Sequence, residues 1–280
     1  MRRLISLTCC LAAFGSLYAQ GNFKFTVNAA RYDSIEVQYT PEKYNVKDHE
    51  KGETPKNVIL FIGDGMGVTQ VFAALTANNG NLYLNQFTNI GFSRTNSADN
   101  YVTDSAAGGT ALACGKKTRN GMIGMSPDSV AIPSILELSD KAGLSTGLIS
   151  TVAITHATPA SFIAHVPNRS LYEDIALDFL DTDIDVFIGG GRKFFNNRKD
   201  GRNLCKELEE KGYRLYDNLE AAKDDNKGHI GILAAEEHMP TAPTRVPTLQ
   251  ASTQKAIDIL KQDDKGFFIM IEGSQIDWGS

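Results

Sequence analysis

After residue 20 the 280-residue sequence contains no run near the ~18 consecutive apolar residues that a membrane-crossing helix needs, so no membrane span is expected. It also lacks any block of lysine and arginine. The 28 basic residues are outnumbered by 33 acidic ones, for a net charge of −5. A nucleic-acid-binding chain carries a basic stripe or face, so nucleic acid is excluded as a specific partner. Glycine (25) and proline (9) are too few for a collagen-like or low-complexity chain. Cysteine is scarce, and two of the four, Cys9 and Cys10, sit in the first ten residues. Spacing does not establish whether Cys114 and Cys205 pair. Cys114 closes the apolar run Ala111 to Cys114 and reads as a buried free thiol. There is no internal repeat.

What is present begins with a leader. Met1-Arg2-Arg3 supplies charge, Leu4 to Leu17 is uncharged and largely apolar, and Ala19 offers a small residue at a cleavage point. That order is the pattern of a secretory signal over residues 1–20, which predicts an exported protein, periplasmic or secreted. Residues 21–55 read as an N-terminal extension, with two β-like runs (Phe23 to Val27, Ile35 to Tyr39) and a charged linker from Lys43 to Lys56. Residues 56–280 read as the main domain.

Within it, Val58 to Ile62 is a continuous apolar run, the form a strand takes when both faces are covered. Gly147 to Ile154, Val186 to Ile188 and Phe267 to Ile271 are three more. Helix-period stretches fall at about 105–114, 132–142, 159–165, 202–211 and 248–262. Such alternation predicts an α/β fold with a mostly parallel sheet flanked by helices on both faces. Open sheets of this kind bind ligands at the carboxyl ends of their strands. Those ends carry Asp64, Thr158, Glu272 and Asp277, all hard oxygen donors suited to Mg²⁺ or, with imidazole, Zn²⁺.

Thr103-Asp104-Ser105-Ala106-Ala107-Gly108-Gly109 places a serine at the start of a small-residue helix. A helix N-terminus offers free N–H groups and partial positive charge, which suits an anion and a nucleophilic oxygen. The small residues would let substrate and metal approach the backbone closely. Read alone, Asp-Ser-Ala-Ala is also an ordinary capping sequence. There is no Gly-x-Ser-x-Gly, which disfavours an acyl-transfer triad. Gly115-Lys116 is a near miss for a phosphate loop, without the preceding glycine or the following Ser/Thr.

Taken together, Val58 to Gly67, Thr103 to Ala111, His156-Ala157-Thr158-Pro159-Ala160 through Arg169, and Glu272 to Asp277 resemble alkaline phosphatases in content and order. The resemblance implies a phosphomonoester hydrolase acting on small phosphomonoesters through a phosphoserine at Ser105, with two Zn²⁺ ions and one Mg²⁺. It implies that Asp64 bridges a zinc and the magnesium, that Ser105 touches that zinc, and that Thr158 and Glu272 complete the protein share of the magnesium shell. It implies Asp277 as a ligand of the other zinc and Arg169 as the fork holding two phosphoryl oxygens. His156 stands at a position that is aspartate or histidine in the family, and is read as a weak or indirect metal contact. Trp278 stands at a position that is lysine, histidine or tryptophan in the family, so His156 with Trp278 departs from the Asp/Lys version. A homodimer is implied too.

The family pattern continues beyond the Asp277 motif with histidine ligands for zinc. None of the five histidines here matches those positions, so the chain as written is expected to be an inactive fragment with an exposed apolar sheet edge. The alternatives are a phosphodiesterase-type hydrolase of the same superfamily, disfavoured by Asp-Ser-Ala-Ala and by Arg169, and a non-catalytic phosphate- or metal-binding protein.

Overall fold

The computed structural model describes residues 39–44, 54–242 and 244–279. The leader, the β-like runs as far as residue 38 and most of the linker lie outside them. The chain divides into two compact units. Of the first, residues 39–43 and Ala73–Gln86 are described. There the Tyr39 ring stacks on Tyr83 with centroids 5.4 Å apart, and the Asn78 amide donates to the Tyr39 carbonyl at 2.9 Å.

The second unit, residues 44–72 and 87–280, contains the sheet. Across the described residues of both units, the strands and α-helices in chain order are β1 (Val58–Gly63), α1 (Val68–Ala77), α2 (Ser105–Cys114), α3 (Ile135–Lys141), β2 (Ser145–Ala153), α4 (Ala157–Ala160), α5 (Tyr172–Asp181), β3 (Val186–Gly190), α6 (Lys193–Asn196), α7 (Leu204–Glu210), β4 (Arg214–Tyr216), β5 (Ile230–Leu233), α8 (Leu249–Leu260) and β6 (Phe267–Gly273). The six strands are ordered β1-β6-β2-β3-β5-β4 and every pairing is parallel. The expected α/β fold is therefore present.

Strands β2, β3, β5 and β6 are buried on both faces, which is why they read as unbroken apolar runs. Successive residues feed opposite layers. Leu148, Phe187, Phe268 and Met270 join Phe162, Phe179 and Phe195 on one side. Ile149, Val186, Ile188, Ile230, Ile269 and Ile271 meet Ala256, Ile259 and Leu260 of α8 on the other.

β1 departs from expectation. Leu60 and Ile62 pack on the first layer, but Ile59 and Phe61 are exposed at 42% and 62%. This strand is the outer edge of the described sheet, which leaves those two side chains uncovered. Elements α1, α5, α6, β4 and β5 are not among those expected from the sequence. The stretch expected to be helical over 159–165 is the single turn α4 followed by a tight turn.

Candidate active site

The ends of β1, β2 and β6 and the starts of α2 and α4 meet at the carboxyl edge of the sheet. β1 runs directly into Asp64, held by the backbone bond from the Asp64 N–H to the Gly273 carbonyl at 3.3 Å. Gly65 then turns at φ +73°, and a Cβ there would fall 2.5 Å from the Asp277 Cα, so only glycine lets the two segments approach. The segment after β6 is pinned in turn. The Ser274 N–H donates to Thr151 Oγ1 at 3.0 Å, and the Gln275 amide donates to the Thr151 and Met239 carbonyls.

Ser105 is the first residue of α2 and its hydroxyl donates to Asp64 Oδ2 at 2.8 Å. Burial raises the Asp64 carboxyl above the ordinary range, and the neighbouring Asp277 charge pushes the same way. The two readings of Asp-Ser-Ala-Ala divide between adjacent residues. Asp104 is the cap, its Oδ1 accepting from the Ala107 N–H at 2.9 Å, which leaves Ser105 free to face Asp64. The small residues of α2 serve packing rather than substrate approach at Gly109. A Cβ there would stand 2.8 Å from Ser161 Oγ and 3.3 Å from the Thr158 Cα, so glycine is what allows α2 to lie against α4.

Asp104 does more than cap. Its Oδ2 accepts from the Gly121 N–H at 3.0 Å and from Arg169 Nη1 at 3.1 Å. The other arm of that guanidinium, Nη2, faces His156 Nε2 at 3.3 Å. His156 is buried and its Nδ1 has no hydrogen-bond partner. Burial, then the Arg169 and His238 charges, push its pKa down to about 4, so the ring is neutral. Tyr172, His238 and Trp278 surround it, with ring centroids 6.5, 5.6 and 6.2 Å away.

Glu272 ends β6 fully buried. One oxygen accepts from Ser150 Oγ at 2.9 Å and Ser274 Oγ at 2.5 Å, and the Thr158 hydroxyl also faces the carboxylate. Its other oxygen, Oε1, is buried with no hydrogen-bond partner. Burial raises this carboxyl as well. An orphaned carboxylate oxygen beside hydroxyl and carboxylate donors is the chemistry of a hard-cation site, and Asp64, Thr158 and Glu272 fit Mg²⁺ as a donor set. Zinc is different. Among the described residues no group of three or more His, Cys, Asp or Glu side chains is placed to hold a metal ion. A catalytic zinc takes three protein ligands, so the described residues do not complete a zinc shell.

The structure thus brings Asp64, Ser105, His156, Thr158, Arg169, Glu272 and Asp277 to one end of the sheet. Sequence reasoning missed Asp104 as the anchor of Arg169, and His238. Asp104 could have been found, because a cap residue next to a serine is already an ordered carboxylate. His238 lies on the loop after β5, and without that strand the loop had no place. Cys114 and Cys205 are both free and half-buried.

An open parallel sheet with a serine at a helix start, an arginine and buried carboxylates gathered at its carboxyl edge defines the class as an α/β fold of the kind that carries its site at the strand ends. The comparisons name the family. The family model described as alkaline phosphatase matches residues 55–280, and the chain belongs to the alkaline phosphatase family. It is 39% identical over 272 residues to alkaline phosphatase 4 of Bacillus subtilis (strain 168), covering 91% of this chain and 58% of that protein. To the alkaline phosphatase of Escherichia coli (strain K12) it is 30% identical, covering 83% and 63%. The alkaline phosphatase structure from the Antarctic bacterium TAB5 matches with TM-score 0.78 and 44% identity, covering 81% of this chain and 68% of that one. A single-histidine variant of the TAB5 enzyme, with Mg bound in its M3 site, matches with TM-score 0.76 and 43% identity, covering 81% and 66%. The chain spans under two thirds of the length of these curated relatives.

Proposed function

We propose that the protein is a phosphomonoesterase in which Ser105 attacks the phosphorus of a small phosphate monoester. The observation that carries this reading is the 2.8 Å hydrogen bond from Ser105 Oγ to Asp64 Oδ2 at the N-terminus of α2. The Asp64 carboxylate is the near acceptor for the serine proton. A new Oγ–P bond forms as the ester P–O bond breaks, and the leaving alkoxide takes up a proton. Water then attacks the phosphoserine, releasing phosphate and restoring the hydroxyl. The planar fork of Arg169, held by Asp104 on one arm, is suited to two phosphoryl oxygens.

Asp64, Thr158 and Glu272 would hold Mg²⁺. A bound cation in this position supplies positive charge beside the anionic substrate and lowers the cost of keeping two raised carboxylates ionised. The family resemblance adds two Zn²⁺ ions, with Ser105 and Asp64 toward one and Asp277 toward the other. The described residues supply only part of a zinc shell. His156 is assigned a supporting role beside Arg169, consistent with its neutral ring. Assembly as a homodimer belongs to the same proposal. So does export: the leader lies outside the described residues, and among those residues no helix is long and apolar enough to cross a membrane.

Hydrolysis of p-nitrophenyl phosphate at alkaline pH with added Zn²⁺ and Mg²⁺ tests the reading, using the 280-residue chain and the protein expressed from its complete gene. Activity that Ser105→Ala lowers by roughly a thousandfold or more supports it. Stoichiometric phosphate binding without turnover in either protein would instead favour a binding role.

A further inference from the structure

The segment that carries Arg169 is tied to the rest of the site through a second histidine, His165, and both ring nitrogens of that histidine are engaged. Nδ1 faces the Gly124 carbonyl at 2.7 Å and Nε2 faces Glu137 Oε1 at 3.1 Å. A carbonyl only accepts. The Glu137 carboxyl is also an acceptor: burial opposes its ionisation, but the bonds from His165 and Ser134 outweigh burial and hold it below its usual range. Two acceptors on two nitrogens require both nitrogens to carry protons, so the geometry selects the imidazolium. The raised pKa of His165, driven first by the Glu137 bond, agrees. The groups facing it are Glu137 from α3 and Asp178 from α5, whose Oδ2 accepts the His165 backbone N–H at 3.2 Å.

Each anchor of His165 is itself fixed. Glu137 Oε2 accepts from the Ser134 N–H at 2.7 Å in the capping box of α3, and Ser134 Oγ donates to the Phe162 carbonyl at 2.6 Å. Gly124 belongs to the strip that registers Arg169. Ile123 and Val166 exchange backbone bonds at 3.0 and 3.1 Å, the Arg169 N–H donates to the Gly121 carbonyl at 2.7 Å, and the Gly121 N–H donates to Asp104 Oδ2. That same oxygen receives the guanidinium. The contacts form a closed circuit: His165, residues 121–124, Asp104, Arg169 and back along the chain to His165.

We propose that His165, as an imidazolium clamped between Gly124 and Glu137, is a positioning residue that sets the register of the Arg169 segment against residues 121–124 and so tunes oxyanion affinity at the site. The consequence for affinity rests on the function proposed above, whereas the clamp itself does not. His165 touches no reacting atom, so its loss weakens binding more than it slows chemistry.

Two readouts separate the clamp from the function. In His165→Gln, whose single amide nitrogen cannot serve both the Gly124 carbonyl and Glu137 and whose other terminal atom is an acceptor oxygen, hydrogen exchange at the amides of Gly121, Ile123, Val166 and Arg169 speeds up while α8 stays protected. Inorganic phosphate binding by the metal-supplemented protein weakens about threefold to tenfold, the scale of coupling between contacting groups. KM rises with it, kcat changes less than twofold, and the effect on phosphate binding vanishes when Arg169 is already alanine. Unchanged exchange at those four amides would overturn the proposal. Exchange that rises equally in α8 would mark His165 as a general support of the fold and overturn it too. His165→Phe, which keeps the ring's bulk and removes both ring nitrogens, repeats the test if His165→Gln does not fold. A parent chain that binds no phosphate would sink the proposed function while the exchange data still judge the clamp.

Discussion

Replacing Asp104 by alanine removes three interactions at once, and their separate worth can be worked out from the contacts. The helix cap to the Ala107 N–H is lost, at about 0.5–2 kcal/mol. The Gly121 N–H, in a half-buried turn, loses its acceptor, at about 1–3 kcal/mol if water does not replace it. The Arg169 pair adds less than ~1 kcal/mol, since both side chains keep 26% exposure and the pair is partly screened. Because the three share one carboxylate they are not additive, and a total of about 2–4 kcal/mol follows. At ~2 °C per kcal/mol for a chain of this size, Tm falls by about 4–8 °C. Asp104→Asn is the informative partner. Asparagine caps as well as aspartate, but its amide turns a donor toward the Gly121 N–H or toward Arg169. It should therefore recover only the cap, about 1 kcal/mol of the loss. Urea unfolding of both variants measures this. Asp104→Ala costing under ~1 kcal/mol, or Asp104→Asn proving no better than Asp104→Ala, would refute the role assigned to this residue.

Other expectations follow from burial. The Cys114 and Cys205 thiols are both pushed up to about 11, chiefly by burial, so native protein at pH 8 should label slowly with a thiol-disulfide reagent and react fully once unfolded; rapid labelling of the native chain would contradict their placement. Burial raises Asp178 from 3.8 to about 6. A carboxyl raised on folding keeps its proton in the native state while the unfolded chain has lost it, so its contribution is present below about pH 4 and is lost as pH rises through about 6. The stability of the parent relative to Asp178→Asn should fall across that window and level off above it; a flat difference would contradict the raised value.

The parallel core was legible because strands covered on both faces cannot alternate: Ile149 and Leu148 are both buried, on opposite layers. β4 and β5 were not legible, since runs of three and four residues, the second broken by Gly231, fall below any periodic signal. Helix α5 could have been read, with Glu173 and Asp174 in its first turn and Ile175, Ala176 and Phe179 on one buried face. At the site, the strand-end rule is enough to locate Asp64, Glu272 and Asp277, because their place follows from chain direction alone. The Asp104–Arg169 and His165–Glu137 contacts join residues 65 and 28 positions apart, and pairings of that kind leave no local pattern.

The most direct test of the central claim is whether Ser105 becomes phosphorylated. Protein expressed from the complete gene, supplied with Zn²⁺ and Mg²⁺, is mixed with a phosphate monoester, quenched in acid and digested, and its peptides are weighed by mass spectrometry. The account predicts one phosphoryl group on the peptide containing Ser105 and none in Ser105→Ala. Turnover with no phosphoryl group on any peptide, or with the group on another side chain, would contradict it.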